Sequence, residues 1–371
     1  MEIIVPITLK FPAGIRKADI PMAGDPPLYF LSLQGSNPRT YLFEGLIELL
    51  NEKKPAIILL DNDPVSRLAV VVGNWCIKNN SKLFCISCEN LPLDILSAVK
   101  RKGWKSLPAA IVKRVLLMRS KKVVEGVFSI NHDGEKIFLD EGYKRVMHMP
   151  LGFDPEYFFP DNKKQGELKN KLGLRNSVIA YFGRLTREKG IHILINALQE
   201  LKQYHWHLMM DSFDDYASDY SEEIKKMLIT AGIKDRVVFI NPDHFEIASF
   251  INAADIVVVP SVSTVNWKEQ YGRVAAEAMA CGKTVIASDS GSLPELLNGF
   301  GYLFPEGNIV ALKQLLEKIL SGHEINDHLS TENIAAYAKK NLSIDRQKEI
   351  MGKEFKFSLS ARSMNQQHIH D

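Results

Sequence analysis

"ADIVVVPSVSTVNWKEQYGRVAAEAMACGKTVIASDSGSLPELL", residues 254–297, reads as strand, polar loop, helix, strand, loop and helix. The runs "IVVV" and "TVIAS" are short and rich in β-branched residues, as strands buried on both faces of a parallel sheet are. "YGRVAAEAMAC" between them has the apolar spacing of a covering helix. Parallel neighbours need such a crossover, so this stretch sets an α/β architecture.

Outward from it, similar runs recur: "EIIVPI", "PAIILLD", "KLFCIS", "GVFSI", "RVMHMP", "SVIAYFG", "HWHLMM", "RVVFI" and "GYLF". Stretches with helical spacing separate most of them, including 189–202, 217–231, 271–281 and 308–320. That is more strand than one compact sheet usually holds, and a Pro-punctuated stretch falls near residues 149–161. The expectation is two doubly wound, Rossmann-like domains, 1–155 and 156–345, facing across a cleft. A helix from 343 to 358 leads a tail, 346–371, that packs back toward the first domain. Residues 8–38 are Pro- and Gly-rich without clear periodicity, and helical spacing resumes at "TYLFEGLIELLNEK".

The 371 residues are 46% hydrophobic and 24% charged, with 46 basic against 44 acidic side chains. This balance leaves no global field for nucleic acid. Four cysteines, at 76, 85, 88 and 281, are too few and too irregular for a disulfide framework and point to a reducing compartment. Cys85 and Cys88 lack the second ligand pair of a zinc site and read as buried strand cysteines. "MEIIVPITLKF" has no secretory leader pattern, and no apolar run reaches the ~20 residues of a membrane span. A soluble, cytoplasmic protein without metal or cofactor is expected. "DND", 61–63, reads as a turn in which Asp63 caps the next helix.

The chemistry lies on loops that follow strands. Gly272 at the start of the 271–281 helix allows close backbone approach, and the unpaired amides of Gly272, Arg273 and Val274 with the helix dipole suit a phosphate. Glu269 in the preceding loop and Glu277 in the helix are acceptors for vicinal hydroxyls. In "VIAYFGRLTREKG" a loop opened by Gly183 carries Arg184, Arg187 and Lys189, cations suited to a diphosphate. "ASDSGSLPELL" repeats the arrangement, with Gly291 permitting close approach and Glu295 favouring the helix start. Two carboxylates beside an anion site suit a nucleotide sugar.

These runs, "YFGRLTREKG" and "EQYGRVAAEAMACGKTVIASDSGSLPELL", resemble the donor-binding half of retaining glycosyltransferases of the GT-B fold, sugar-enzyme family four. The resemblance covers residues 145–345 well and the amino-terminal half more loosely. It implies that Arg184 and Lys189 hold the donor diphosphate, that Glu277 binds the ribose, and that Glu269 meets the transferred sugar. Amides from Tyr271 to Val274 would lie near the phosphate or sugar. Glu269, Arg184 and Lys189 are then the catalytic candidates. It also implies a glycan, lipid-linked or other hydroxyl acceptor, retention at the anomeric carbon and no divalent ion.

Three departures stand against the family pattern. "MEIIVPI" resembles the family's second strand, as if its first strand and Gly-rich loop were absent. "WHLMMDSFDD" replaces a Gly-rich turn. The acceptor-side histidine has no clear counterpart, leaving Glu89, Asn90 and His132 as candidates. Residues 95–124 hold nine basic residues and no acidic one, a pattern that fits either an anionic membrane surface or a solvated helix face. Two other readings remain open at this stage: a non-catalytic nucleotide-sugar-binding subunit, and an epimerase on the same fold.

Overall fold

The computed structural model describes residues 1–11, 14–18, 24–35, 37–212, 219–243, 246–322 and 329–367. The chain forms two compact units, 149–351 and 1–148 with 352–371.

In the 149–351 unit six parallel strands form one sheet, in the order Val237–Ile240, Trp206–Asp211, Ser177–Tyr181, Ile256–Val259, Thr284–Ser288, Tyr302–Phe304. The chain starts in the middle, builds to one edge, returns, and builds to the other. The reversal falls between Ser177–Tyr181 and Ile256–Val259, where Ile179 faces Ile256. Loops leaving the carboxyl ends of those two strands diverge onto opposite faces and leave a crevice, the usual ligand position in such sheets. Helices Ile191–Gln199 and Ile309–Leu320 bury Leu194, Leu198, Leu312 and Leu316 in a core with Ile179, Leu208 and Ile286. Each fully buried side chain of this size contributes about 2 kcal/mol. Asn308 fixes the start of the second of these helices by accepting the Ala311 amide at 3.0 Å.

In the first unit four parallel strands lie in the order Val146–His148, Gly126–Ser129, Lys82–Ser87, Ile57–Leu60. Helix Arg67–Lys78 covers them and is capped by Ser66, whose hydroxyl accepts the Ala69 amide at 3.1 Å. The cap is therefore not Asp63, which instead accepts the Val65 amide at 2.8 Å and lies 3.5 Å from Arg39. Cys85 is buried in its strand, but Cys88 lies past the strand end and is exposed, against the expectation of two buried strand cysteines.

Short strands occupy part of the aperiodic amino-terminal stretch. Ile3–Pro6 pairs in parallel with Leu28–Leu31, Thr8–Phe11 with Gly14–Lys17 as a hairpin, and Leu33–Gln34 with Leu42–Phe43. The following helix is confined to Leu46–Lys53, because Leu42 and Phe43 are held in that last strand pair. The final helix runs over Ile344–Gln367, longer than its sequence pattern suggested. From Gly352 on it belongs to the first unit, where the Phe355 ring packs edge-on against Phe84 at 5.1 Å. No described helix is long and apolar enough to cross a membrane.

Candidate active site

The two loops at the strand reversal carry most of the donor-side residues expected from the sequence. After Ser177–Tyr181 the chain passes Gly183 and the exposed Arg184, whose carbonyl accepts the Tyr181 hydroxyl at 2.9 Å. A 3-10 turn, Arg187–Lys189, then ends with Lys189 directed to the neighbouring loop. There its ammonium donates to Glu269 Oε2 at 2.7 Å. The Ser261 hydroxyl donates to the same oxygen at 2.7 Å, and the ammonium sits 5.0 Å from the centre of the Trp267 ring. Glu269 is only 6% exposed. Burying a carboxylate costs hydration that cations and donors must offset, and Lys189 and Ser261 are placed to do so.

Ser261 and Trp267 were not singled out in the sequence. The available signal was a tryptophan in an otherwise polar loop leaving a buried strand. Arg187, the third cation of that run, turns elsewhere, to Glu223 at 2.5 Å and over the Tyr220 ring.

Helix Arg273–Ala280 begins directly after this loop. Its cap, Gly272, has φ of 87° and no side chain to satisfy the first amides, so the amides of Arg273 and Val274 and the positive helix end are left for an anion. The space beside Gly272 is taken by Leu293, and a Cβ there would lie 2.6 Å from its Cδ2. Gly291, at φ of 56°, is needed because a Cβ would lie 2.0 Å from the Glu269 carbonyl oxygen. What these two glycines admit is the protein's own chain, and the Gly291 contact fixes the backbone of Glu269. The Ser292 amide donates to that same carbonyl at 3.1 Å.

Glu277 lies on the helix, 8% exposed, with Arg273 Nε at 3.5 Å. Burial pushes its carboxyl up to about 7, because the largely exposed Arg273 returns little of the lost hydration. Tyr271 is buried with its hydroxyl unpaired among the described residues, and burial holds its pKa well above the ordinary phenol value.

In the first unit, Glu89 and Asn90 follow strand Lys82–Ser87, and His132 follows the neighbouring Gly126–Ser129. Glu89 receives Lys113 at 3.0 Å and Arg39 at 3.2 Å. Burial alone would raise its pKa, but these two cations outweigh burial and hold it below the usual range. Asn90 is buried. His132 opens helix His132–Asp140, its Nδ1 2.9 Å from Glu135, and its ring lies 4.1 Å from that of His148. His148, which the sequence did not mark, ends the adjacent strand, and burial followed by the charge of His132 lowers its pKa. Among the described residues no group of three or more His, Cys, Asp or Glu is arranged to hold a metal ion. The turn expected in "WHLMMDSFDD" runs beyond the described residues after Ser212.

Six parallel strands, with a charged pair at the reversal and a bare helix start beside it, define an α/β protein. Residues 164–340 match the family described as Glycosyl transferases group 1. Over 183 residues the chain is 33% identical to the D-inositol 3-phosphate glycosyltransferase of Corynebacterium jeikeium, covering 46% of this chain and 42% of that protein. The chain thus spans less than half the length of this curated relative. A broader match, 25% identical over 318 residues, covers 83% of this chain and 77% of the capsular polysaccharide biosynthesis glycosyltransferase CapM of Staphylococcus aureus. The structure of Anabaena Alr3699/HepE in complex with UDP superposes with a TM-score of 0.68 at 22% identity, covering 89% of this chain and 86% of that one. The fold is of the GT-B type, and the stretch that matches Glycosyl transferases group 1 lies within the 149–351 unit.

Proposed function

We propose that this chain transfers a sugar from a nucleoside-diphosphate sugar to a hydroxyl of a glycan or lipid-linked acceptor, in the biosynthesis of a surface polysaccharide or a related glycan. The observation that carries the reading is the Lys189–Glu269 pair at the strand reversal, beside the uncapped start of helix Arg273–Ala280. The Anabaena structure with UDP, and the names of the relatives, support a nucleotide sugar as donor.

In this reading the donor diphosphate lies at the amides of Arg273 and Val274, near those of Tyr271 and Gly272, with Arg184 and Lys189 neutralising it. As the glycosidic bond breaks, negative charge grows on the departing diphosphate. Fixed cations and a helix end stabilise that charge without reorganising. Lys189 exchanges part of its contact with Glu269 for the phosphate, and Glu269 then accepts from hydroxyls of the transferred sugar. Glu277 accepts from the ribose. Transfer proceeds with retention and without a divalent ion. Glu89, Asn90 and His132, at strand ends of the first unit, serve the acceptor. The chain works in the cytoplasm, on the inner face of a membrane, attached through residues 95–124.

The test is binding and turnover across UDP-, GDP-, ADP- and TDP-sugars, with Glu277→Ala as the control. Selective binding that is lost in the variant, with release of nucleoside diphosphate, supports transfer. Selective binding with no turnover on any acceptor would replace this reading with that of a nucleotide-sugar-binding subunit.

A further inference from the structure

Residues 95–124 fold into helix Ile95–Lys102, a 3-10 turn over Trp104–Ser106, and helix Leu107–Ser120, with the two helices packed on each other. The longer helix buries Ala110 and Leu117 yet is apolar on its outer side as well. Its two central charges point inward, Lys113 to Glu89 at 3.0 Å and Arg114 to Glu141 at 2.5 Å. Ile111, Val112, Val115 and Met118 face solvent instead. Their spacing puts all four on one stripe of the helix. Leu96, 81% exposed, and Trp104, 78% exposed, extend the apolar surface onto the shorter helix and the turn. Such a concentration of exposed apolar side chains marks an interaction site.

Charge selects what covers it. Lys100, Lys102, Lys105 and Arg119 are exposed on the same segment, which contains no acidic residue. A second copy would bring the exposed Lys100, Lys102, Lys105 and Arg119 against the same four cations, with no acidic residue in the segment to neutralise them. An anionic bilayer supplies both missing complements, phosphates for the cations and an acyl boundary for the stripe. We propose that this face is the membrane-docking surface, with Trp104, Ile111, Val112, Val115 and Met118 seated at the acyl boundary of an anionic leaflet. The inference rests on the reading of the chain as membrane-attached, and it names the side chains that make the attachment.

The experiment is sedimentation of the full chain with vesicles of phosphatidylcholine alone, or with about one third phosphatidylglycerol. Two variants carry exposed changes only, Val112→Asp/Val115→Asp and Lys100→Glu/Lys102→Glu, and thermal unfolding verifies that each is folded. The wild type is expected to bind the anionic vesicles only, with a blue shift in emission that Trp104→Phe removes. Each basic residue near an anionic surface is worth about fivefold in affinity, so the charge-reversal variant binds at least about tenfold more weakly. The apolar variant loses binding to a similar degree even at low salt.

Wild-type binding undiminished in both variants would place the membrane contact elsewhere and overturn this assignment, while leaving membrane attachment standing. No wild-type binding to anionic vesicles would overturn both. Self-association abolished by Val112→Asp/Val115→Asp, without vesicle binding, would assign the face to a second copy and refute the bilayer.

Discussion

If Glu277 holds the ribose as proposed, its raised pKa ties donor binding to protons. In the folded chain burial raises its carboxyl from 4.5 to about 7. Between those values the unfolded chain has released a proton that the folded chain still holds, so stability falls as pH rises through the window. Below it the group is neutral in both states and contributes nothing. Above it the full cost applies, on the order of 3 kcal/mol. Glu277→Gln should therefore stabilise the chain by about 2 to 3 kcal/mol near pH 8 and by almost nothing near pH 4, as read from urea unfolding.

A ribose that donates its hydroxyls to this carboxylate favours the ionised form and draws the pKa back down. Near pH 6.5 about three quarters of the free protein carries the proton, so binding should release up to about 0.7 proton per donor molecule. Titration calorimetry in phosphate and in imidazole, buffers of unlike ionisation enthalpy, measures that number. The ligand should be an intact nucleotide sugar, whose esterified phosphates hold no proton in this range. Affinity should also rise with pH between about 5.5 and 8 in the wild type, and be flat in Glu277→Gln if that variant still binds. Proton release that is absent in the wild type, or equal in the two proteins, would refute the assignment of Glu277 to the hydroxyls of the ligand.

Two further perturbations probe the same site. Lys189→Met removes the ammonium that donates to the enclosed Glu269, and should destabilise the chain by about 2 kcal/mol in urea unfolding. Adding Glu269→Gln should restore most of that loss while leaving turnover absent, whereas strict additivity in the double-mutant cycle would show the two groups to be uncoupled. Gly291→Ala forces a methyl against the Glu269 carbonyl at a left-handed φ. It should cost about 1 to 3 kcal/mol and weaken donor binding at least about tenfold, and wild-type donor affinity in a folded Gly291→Ala protein would remove Glu269 from the site.

The parts of this fold that a reader of the sequence finds first are those whose signal is local. Strand Ile256–Val259 is largely buried and shows as an unbroken β-branched run, and helix Arg273–Ala280 is announced by Gly272 at its start. The meeting of Lys189 with Glu269, eighty positions apart, depends on the sheet order reversing between their strands, and no local pattern encodes that reversal. Trp267 and Ser261 are hidden for the same reason, since their roles exist only once Lys189 has been brought to them.

Helix Leu107–Ser120 shows the limit most plainly. Composition reveals its basic, apolar character but not its direction, because both of its faces are apolar and periodicity then cannot choose the inner one. The choice is made by Glu89 and Glu141, which lie far away in sequence and draw Lys113 and Arg114 inward. With those pairs formed and Ala110 and Leu117 buried beside them, Ile111, Val112, Val115 and Met118 are left on the outer side. The same Glu89 stands at a strand end expected to serve the acceptor, so one carboxylate links the orientation of the proposed docking helix to the proposed acceptor side. Glu89→Gln should thus disturb both, weakening the inward hold on Lys113 and acceptor use together, with donor affinity unchanged.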